Sequence, residues 1–151
     1  MKHIQGIDLL PLNSSLRYKK NKTGVTTIFD PLRKKYLVAT PEEIVRQLWI
    51  IYLTEKRKIN PKLVAIERGF KINGLDKRFD LVVFHKDTTP MMLAEFKGPE
   101  IPITQSVFDQ IASYNAALQV PYALVSNGIN HYCFRMDEST RKFIWQENLP
   151  F

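Results

Sequence analysis

The chain has 151 residues, 44% of them hydrophobic and 25% charged, with a formal net charge of +7. That length is one ordinary domain's worth, and the composition excludes an intrinsically disordered chain. Cys133 is the only cysteine, which excludes an intrachain disulfide and a cysteine-rich zinc site, and no stretch approaches the roughly 18 apolar residues of a membrane helix.

Asp8 and Pro11 interrupt anything resembling a signal-peptide core. The expectation is a cytoplasmic protein with no membrane association and one domain over residues 1–151, of which 1–38 form a β-rich extension. Residues 1–75 carry 15 Lys/Arg against 6 Asp/Glu, a net of +9, whereas 76–151 carry 7 against 9, a net of −2. The excess lies in groups at Arg17, Lys19, Lys20 and Lys22, at Arg33 to Lys35, and at Lys56 to Lys58 with Lys62. Such groups attract a phosphate backbone through counterion release, or are solvated surface.

In chain order, 16–38 reads as short strands around turns at Asn21 to Gly24 and at Asp30-Pro31. Thr40-Pro41-Glu42-Glu43 opens a helix running to about Lys56, with threonine at the N-cap, proline in the first turn and two acids at the positive dipole end. Ile44, Leu48, Ile51 and Tyr52, widened by Val45, Trp49 and Leu53, give it a broad buried face. Strands follow at 64–72, 79–85 and 91–97, the first two joined by the hairpin signal Asn73-Gly74. A helix over 104–118 ends before Pro121, and strands at 122–126 and 131–136 follow, with an edge strand at 143–145. Helix, three strands, helix, two strands describes an α/β fold, a central mixed β-sheet flanked by helices.

Alternation along 91–97 puts Glu95 and Lys97 on one face at the end of an apolar strand. Asp80 interrupts the neighbouring apolar strand, where an unpaired acid is costly. If the two strands pair antiparallel, Asp80 and Glu95 converge. Two carboxylates with a backbone carbonyl and waters suit Mg²⁺, and a lysine beside them orients a water for attack on phosphorus. The alternative is an ion pair of Asp80 or Glu95 with Lys97 or Arg78. An acid-x-lysine triplet recurs by chance, so its place at a strand end carries the argument.

Asp80 with Glu95-Phe96-Lys97 resembles the PD-(D/E)xK nuclease signature. The wider pattern is similar to the N-terminal nuclease domain of type I restriction enzyme R subunits, through blocks at 29–36, 40–47, 77–80, 94–99, 109–115 and 126–128. The resemblance implies a restriction-endonuclease-like core and Mg²⁺- or Mn²⁺-dependent cleavage of DNA, with Asp80 and Glu95 as metal ligands and Lys97 at the nucleophile. It also implies that Glu43 assists the metal site, with Glu42 as the fallback. Thr40-x-x-Glu43 equally has the form of a capping box, whose glutamate reaches back to the N-cap amide. Gln110 and Tyr114 match an active-site or DNA-contact element, their alternative being surface and core packing. Arg46 and Arg78 either touch phosphate or neutralise the acids.

Phe79 stands where the motif's name has proline. R subunits carry an ATP-driven motor that these 151 residues lack, so a motor or specificity protein supplied in trans is the expected partner beside DNA. The rival readings are a non-catalytic DNA-binding or adaptor module and a protein-interaction module. His3, His85 and His131 have no ligand spacing, Cys133 reads as strand packing, and nothing points to an organic cofactor. Oligomeric state is not legible.

Overall fold

The computed structural model describes residues 3–140 and 142–151. After a short 3₁₀ turn at Leu10–Ser15, strands β1 (Tyr18–Lys20), β2 (Thr26–Asp30) and β3 (Lys35–Val38) form an antiparallel sheet in the order β1-β2-β3. Helix α1 (Pro41–Ile51) runs into a π-helical turn at Tyr52–Lys56. Strands β4 (Val64–Ile72), β5 (Leu75–Phe84) and β6 (Pro90–Phe96) precede helix α2 (Gln105–Leu118). Strands β7 (Tyr122–Ser126), β8 (His131–Met136) and β9 (Phe143–Gln146) complete a six-stranded sheet in sequential order β4 to β9. Every neighbouring pair in it is antiparallel except β6 with β7, the pair that α2 connects. A parallel pair needs such a crossover, because a tight turn cannot return the chain in the same direction.

The local signals act as their chemistry requires. Thr40 Oγ1 accepts from the Glu43 amide at 3.1 Å, which satisfies one orphan donor of α1. Asn73 and Gly74 take φ of 50° and 77° in the β4–β5 hairpin, the left-handed pair a two-residue turn demands. Gln119 in the left-handed conformation, φ 55°, closes α2 ahead of Pro121. Asn115, fully buried, then donates to Val120 O and accepts from Val120 N, which fixes the approach to β7.

The large sheet is covered on both faces. Met92, Ala94 and Phe96 of β6 pack with Val45, Leu48 and Trp49 of α1. Leu93 of β6, with Phe79 and Val82, meets Tyr114 and Leu118 of α2, and Ala123 and Val125 of β7 meet Phe108 and Ile111. The helix–sheet–helix layering and the mixed sheet agree with the restriction-endonuclease-like core expected from sequence. Strand β5 departs from plain alternation: Leu81 and Val83 belong to the α1 side, yet Phe79 packs with Val82 on the α2 side. The break falls at Asp80. Opposite it in register, between the pairs Ile66↔Leu81 and Arg68↔Phe79, Glu67 is held at φ 52°. A left-handed glutamate within a strand is costly, so its side-chain contacts must compensate.

Candidate active site

The β5–β6 register Leu81↔Ala94 brings Asp80 and Glu95 side by side at one end of the hairpin. Lys97 lies one residue beyond β6, its amide donating to Ser126 O at 2.9 Å. The next residue is Gly98, where a Cβ would come within 3.0 Å of Pro41 Cβ. Its lack of a side chain allows the end of β6 to abut the start of α1, and this brings Glu42 into the electrostatic field of Asp80 and Lys97.

Asp80 is anchored from two directions. Its Oδ2 accepts from the Phe96 amide at 2.7 Å and its Oδ1 from Arg46 Nη2 at 3.1 Å. Burial, with the charge and hydrogen bond of adjacent Asp80, pushes the Glu95 carboxyl up to about 8, against the lowering effect of Lys97. Glu42 is also raised, by burial and then by Asp80, while Lys97 and Arg46 pull it down. The two strand carboxyls therefore compete for one negative charge. A divalent cation relieves such competition, and two hard oxygen donors are what Mg²⁺ takes, with waters completing its shell. Among the described residues no three His, Cys, Asp or Glu side chains converge as an all-protein metal cage.

Glu95 and Lys97 open into a cleft of about 200 Å³ against α2, lined also by Lys77, Arg78, Gln110 and Tyr114. Gln110 Nε2 donates to Tyr114 Oη at 3.0 Å, and this bond, with Lys77, lowers the tyrosine's pKa. The ammonium of Lys77 sits 5.1 Å from the Tyr114 ring centroid. The Gln110/Tyr114 pair thus shares the cleft with Glu95 and Lys97, and Arg78 is exposed at its wall. A wider cleft of about 660 Å³ beside Gln119, Tyr122 and Arg135 holds none of the residues singled out from sequence.

Glu43 lies elsewhere. It is buried, and its carboxylate accepts from Arg46 Nη1 at 2.8 Å, Gln47 Nε2 at 2.9 Å and Arg33 Nη2 at 3.3 Å. Only half of the capping box forms: Thr40 caps the Glu43 amide, but the Thr40 amide donates to Val38 O instead of meeting Glu43. The helix acid that acts on the Asp80/Glu95 pair is Glu42.

Three further members of the polar network have no counterpart among the residues picked from sequence. Arg33 binds Asp30 at 2.7 Å, Glu67 at 3.0 Å and Glu43. Arg46 reaches Glu67 at 3.6 Å as well as Glu43 and Asp80. Glu67 thus spends its left-handed backbone on contacts with two guanidinium groups, and Asp30 is wholly buried beneath the turn that carries Arg33. The one available signal was an acid within an apolar strand, Glu67 in Val64-Ala65-Ile66-Glu67.

A six-stranded mixed sheet between helices, with two carboxylates and a lysine at adjacent strand ends, defines a restriction-endonuclease-like domain. The family model for the type I restriction enzyme R protein N terminus (HSDR_N) matches residues 41–150, and the chain belongs to that family. The match begins at the first residue of α1, so the three-stranded sheet lies outside it. A search of curated proteins finds no match.

Proposed function

We propose that the chain is a Mg²⁺-dependent DNA nuclease domain of the PD-(D/E)xK type, with Asp80 and Glu95 as the metal-holding carboxylates and Lys97 as the residue that orients the attacking water. The observation that carries this reading is the juxtaposition of Asp80 and Glu95 at one strand-pair end, with Lys97 in the same cleft. Family membership supports a restriction-related, nuclease-like module. Asp80 and Glu95 would hold the metal, which would supply Lewis-acid stabilisation of the charge that develops on phosphorus-bound oxygen.

The remaining work belongs to the chain's own residues. Lys97 holds a water by its lone pair and favours the hydroxide form through its positive charge. Lys77 and Arg78, on the cleft wall, bind the phosphates flanking the scissile one. Glu42 would support the site as the helix carboxylate nearest in charge to Asp80 and Glu95, in the role that the resemblance implied for Glu43. Glu43, Arg46 and Glu67 act at one remove, by fixing Asp80. The whole chain works as one unit in the cytoplasm, with a motor or specificity protein supplied in trans.

A second reading has one observation in its favour: both oxygens of Asp80 already have partners within the protein, Arg46 and the Phe96 amide. A non-catalytic DNA-binding or adaptor module would use the same ion pairs for stability alone. Titration calorimetry of Mg²⁺ and Mn²⁺ into the parent, Lys97→Ala and Asp80→Asn/Glu95→Gln proteins, with plasmid nicking on the same samples, separates the two. The nuclease reading expects metal binding and nicking in the parent, loss of both in the double variant, and loss of nicking alone in Lys97→Ala. A folded parent that neither binds metal nor nicks, with DNA present or absent, establishes the adaptor.

A further inference from the structure

Between Arg17 and Val38 lie seven Lys/Arg and a single acid, Asp30, a net of +6 out of the chain's +7. That acid is buried and paired with Arg33, so it offers no compensation at the surface. Arg17, Lys19, Lys20, Lys22, Lys34 and Lys35 are all exposed, and none has an acidic partner in the ion pairs of the described residues. The small sheet and its turns therefore carry a net charge nearly equal to that of the whole chain.

That sheet has an inner and an outer face. Ile28 and Asp30, both fully buried, mark the inner one. The register Lys19↔Thr27↔Val38, with Phe29↔Tyr36, puts Arg17, Lys19, Phe29, Tyr36 and Val38 on the opposite face. There the Arg17 guanidinium lies 3.9 Å from the Phe29 ring centroid and the Lys19 ammonium 3.9 Å from that of Tyr36, with the two rings 5.2 Å apart. Each ring limits the freedom of a long basic side chain while leaving its head in solvent, so the cations are presented as a fixed row. Val38, 56% exposed, borders the row, and nothing in the described chain covers it.

We propose that this outer face is a nucleic-acid docking platform that grips the phosphate backbone, outside the part of the chain that the family model matches. Charge complementarity selects the occupant: a polyanion answers a sheet with six exposed cations and no exposed acid. Because the rings are already capped by their own cations, the platform grips phosphates and does not stack bases. Its turn also carries Arg33, which binds Glu43 and Glu67, so nucleic acid seated on the outer face and on Lys34 of that turn is delivered to the flank of the acidic cluster. The proposal concerns binding and stands whether or not the cleft cuts.

The test is fluorescence anisotropy of a labelled duplex and of a single strand, titrated with the full chain in EDTA over a salt series. Three proteins are compared: the parent, Arg17→Gln/Lys19→Gln/Lys34→Gln, and the control Lys56→Gln/Lys58→Gln/Lys62→Gln, which removes equal charge elsewhere. The platform predicts a loss of about tenfold or more in duplex affinity for the sheet variant, with a salt slope shallower by about 2 to 3, and little change for the control. Equal losses in the two variants, or salt-independent binding by the parent, overturn it. Tighter binding of poly-glutamate than of either nucleic acid overturns it in favour of an acidic protein partner. Tyr36→Ala keeps duplex affinity if phosphates alone are gripped, whereas a selective loss for the single strand refutes the phosphate-only assignment. Since no metal is present, these outcomes are independent of whether nicking is found.

Discussion

Arg46 Nη2 lies 3.1 Å from Asp80 Oδ1 while Nη1 of the same guanidinium lies 2.8 Å from Glu43 Oε2, so one side chain ties helix α1 to the strand acid. Removing one partner of a buried ion-paired group leaves the others uncompensated, which costs about 3–5 kcal/mol. Arg46→Met is expected to lower stability by about that amount in urea denaturation. Arg46→Lys should recover only part of it, since an ammonium cannot hold two carboxylates with the geometry of a planar fork. A midpoint unchanged in Arg46→Met would show that the network contributes nothing to the fold.

The two acids at the start of α1 should separate cleanly on mutation. Glu42 is about half exposed, its side chain 45% accessible, and its only ion pair among the described residues is a 4.0 Å approach to Arg46. Glu42→Gln is expected to alter stability by no more than about 0.5 kcal/mol while reducing nicking. Glu43→Gln disrupts contacts to Arg33, Arg46 and Gln47 and should cost about 1–3 kcal/mol. Paired melting and nicking curves decide; a destabilised Glu42→Gln beside an undisturbed Glu43→Gln reverses the assignment.

Stability should fall on mild acidification because of His131. Burial, then the neighbouring His3, lowers its pKa from 6.5 to about 4. Between those values the unfolded chain binds a proton that the folded one excludes, so stability rises with pH. The contribution is fully present above about 6.5 and is lost as pH falls through about 4, an effect of about 3 kcal/mol. Denaturant midpoints across this window should slope less in His131→Gln than in the parent. Parallel slopes would remove His131 as the cause.

Cys133 should behave as an inert probe of unfolding. It is fully buried in β8, and burial pushes its thiol up to about 12. Thiolate is the reactive form, so maleimide or iodoacetamide should label it only at the rate of chain opening, and quickly in denaturant. Prompt labelling under native conditions would contradict the packing of β8.

Local chemistry was the legible part of this sequence. Thr40-Pro41, Asn73-Gly74 and the two-residue alternation of 91–97 each act within a few residues, and the helix, the hairpin and the Glu95/Lys97 face follow from them. The nearness of Asp80 to Glu95 was also readable, because antiparallel pairing converts sequence distance into register. Arg33 was not readable. It stands in a basic run with Lys34 and Lys35, which are exposed, yet its own side chain turns inward to acids 10 and 34 residues away. Asn115 was hidden in a different way, since a polar residue on a helix reads as surface until the carbonyl and amide of Val120 are seen to satisfy it. Glu42 faces the strand acids because Gly98 lets the end of β6 meet the helix start, a contact across more than fifty residues, while Glu43 is held by Arg33, Arg46 and Gln47.

The β5–β6 hairpin turns through residues 85–89, all exposed, with the His85 amide closing on Thr89 O at 2.8 Å. Asp80 and Glu95 lie at its other end, roughly 16 Å away at the rise of an extended strand. Covalent continuity and chemistry thus occupy opposite ends of one element. Cutting the chain at that turn would leave Asp80 on one fragment and Glu95 on the other, each without half of the carboxylate pair. Reassociated fragments would regain both at once, so the carboxylate pair would exist only where the two pieces have met.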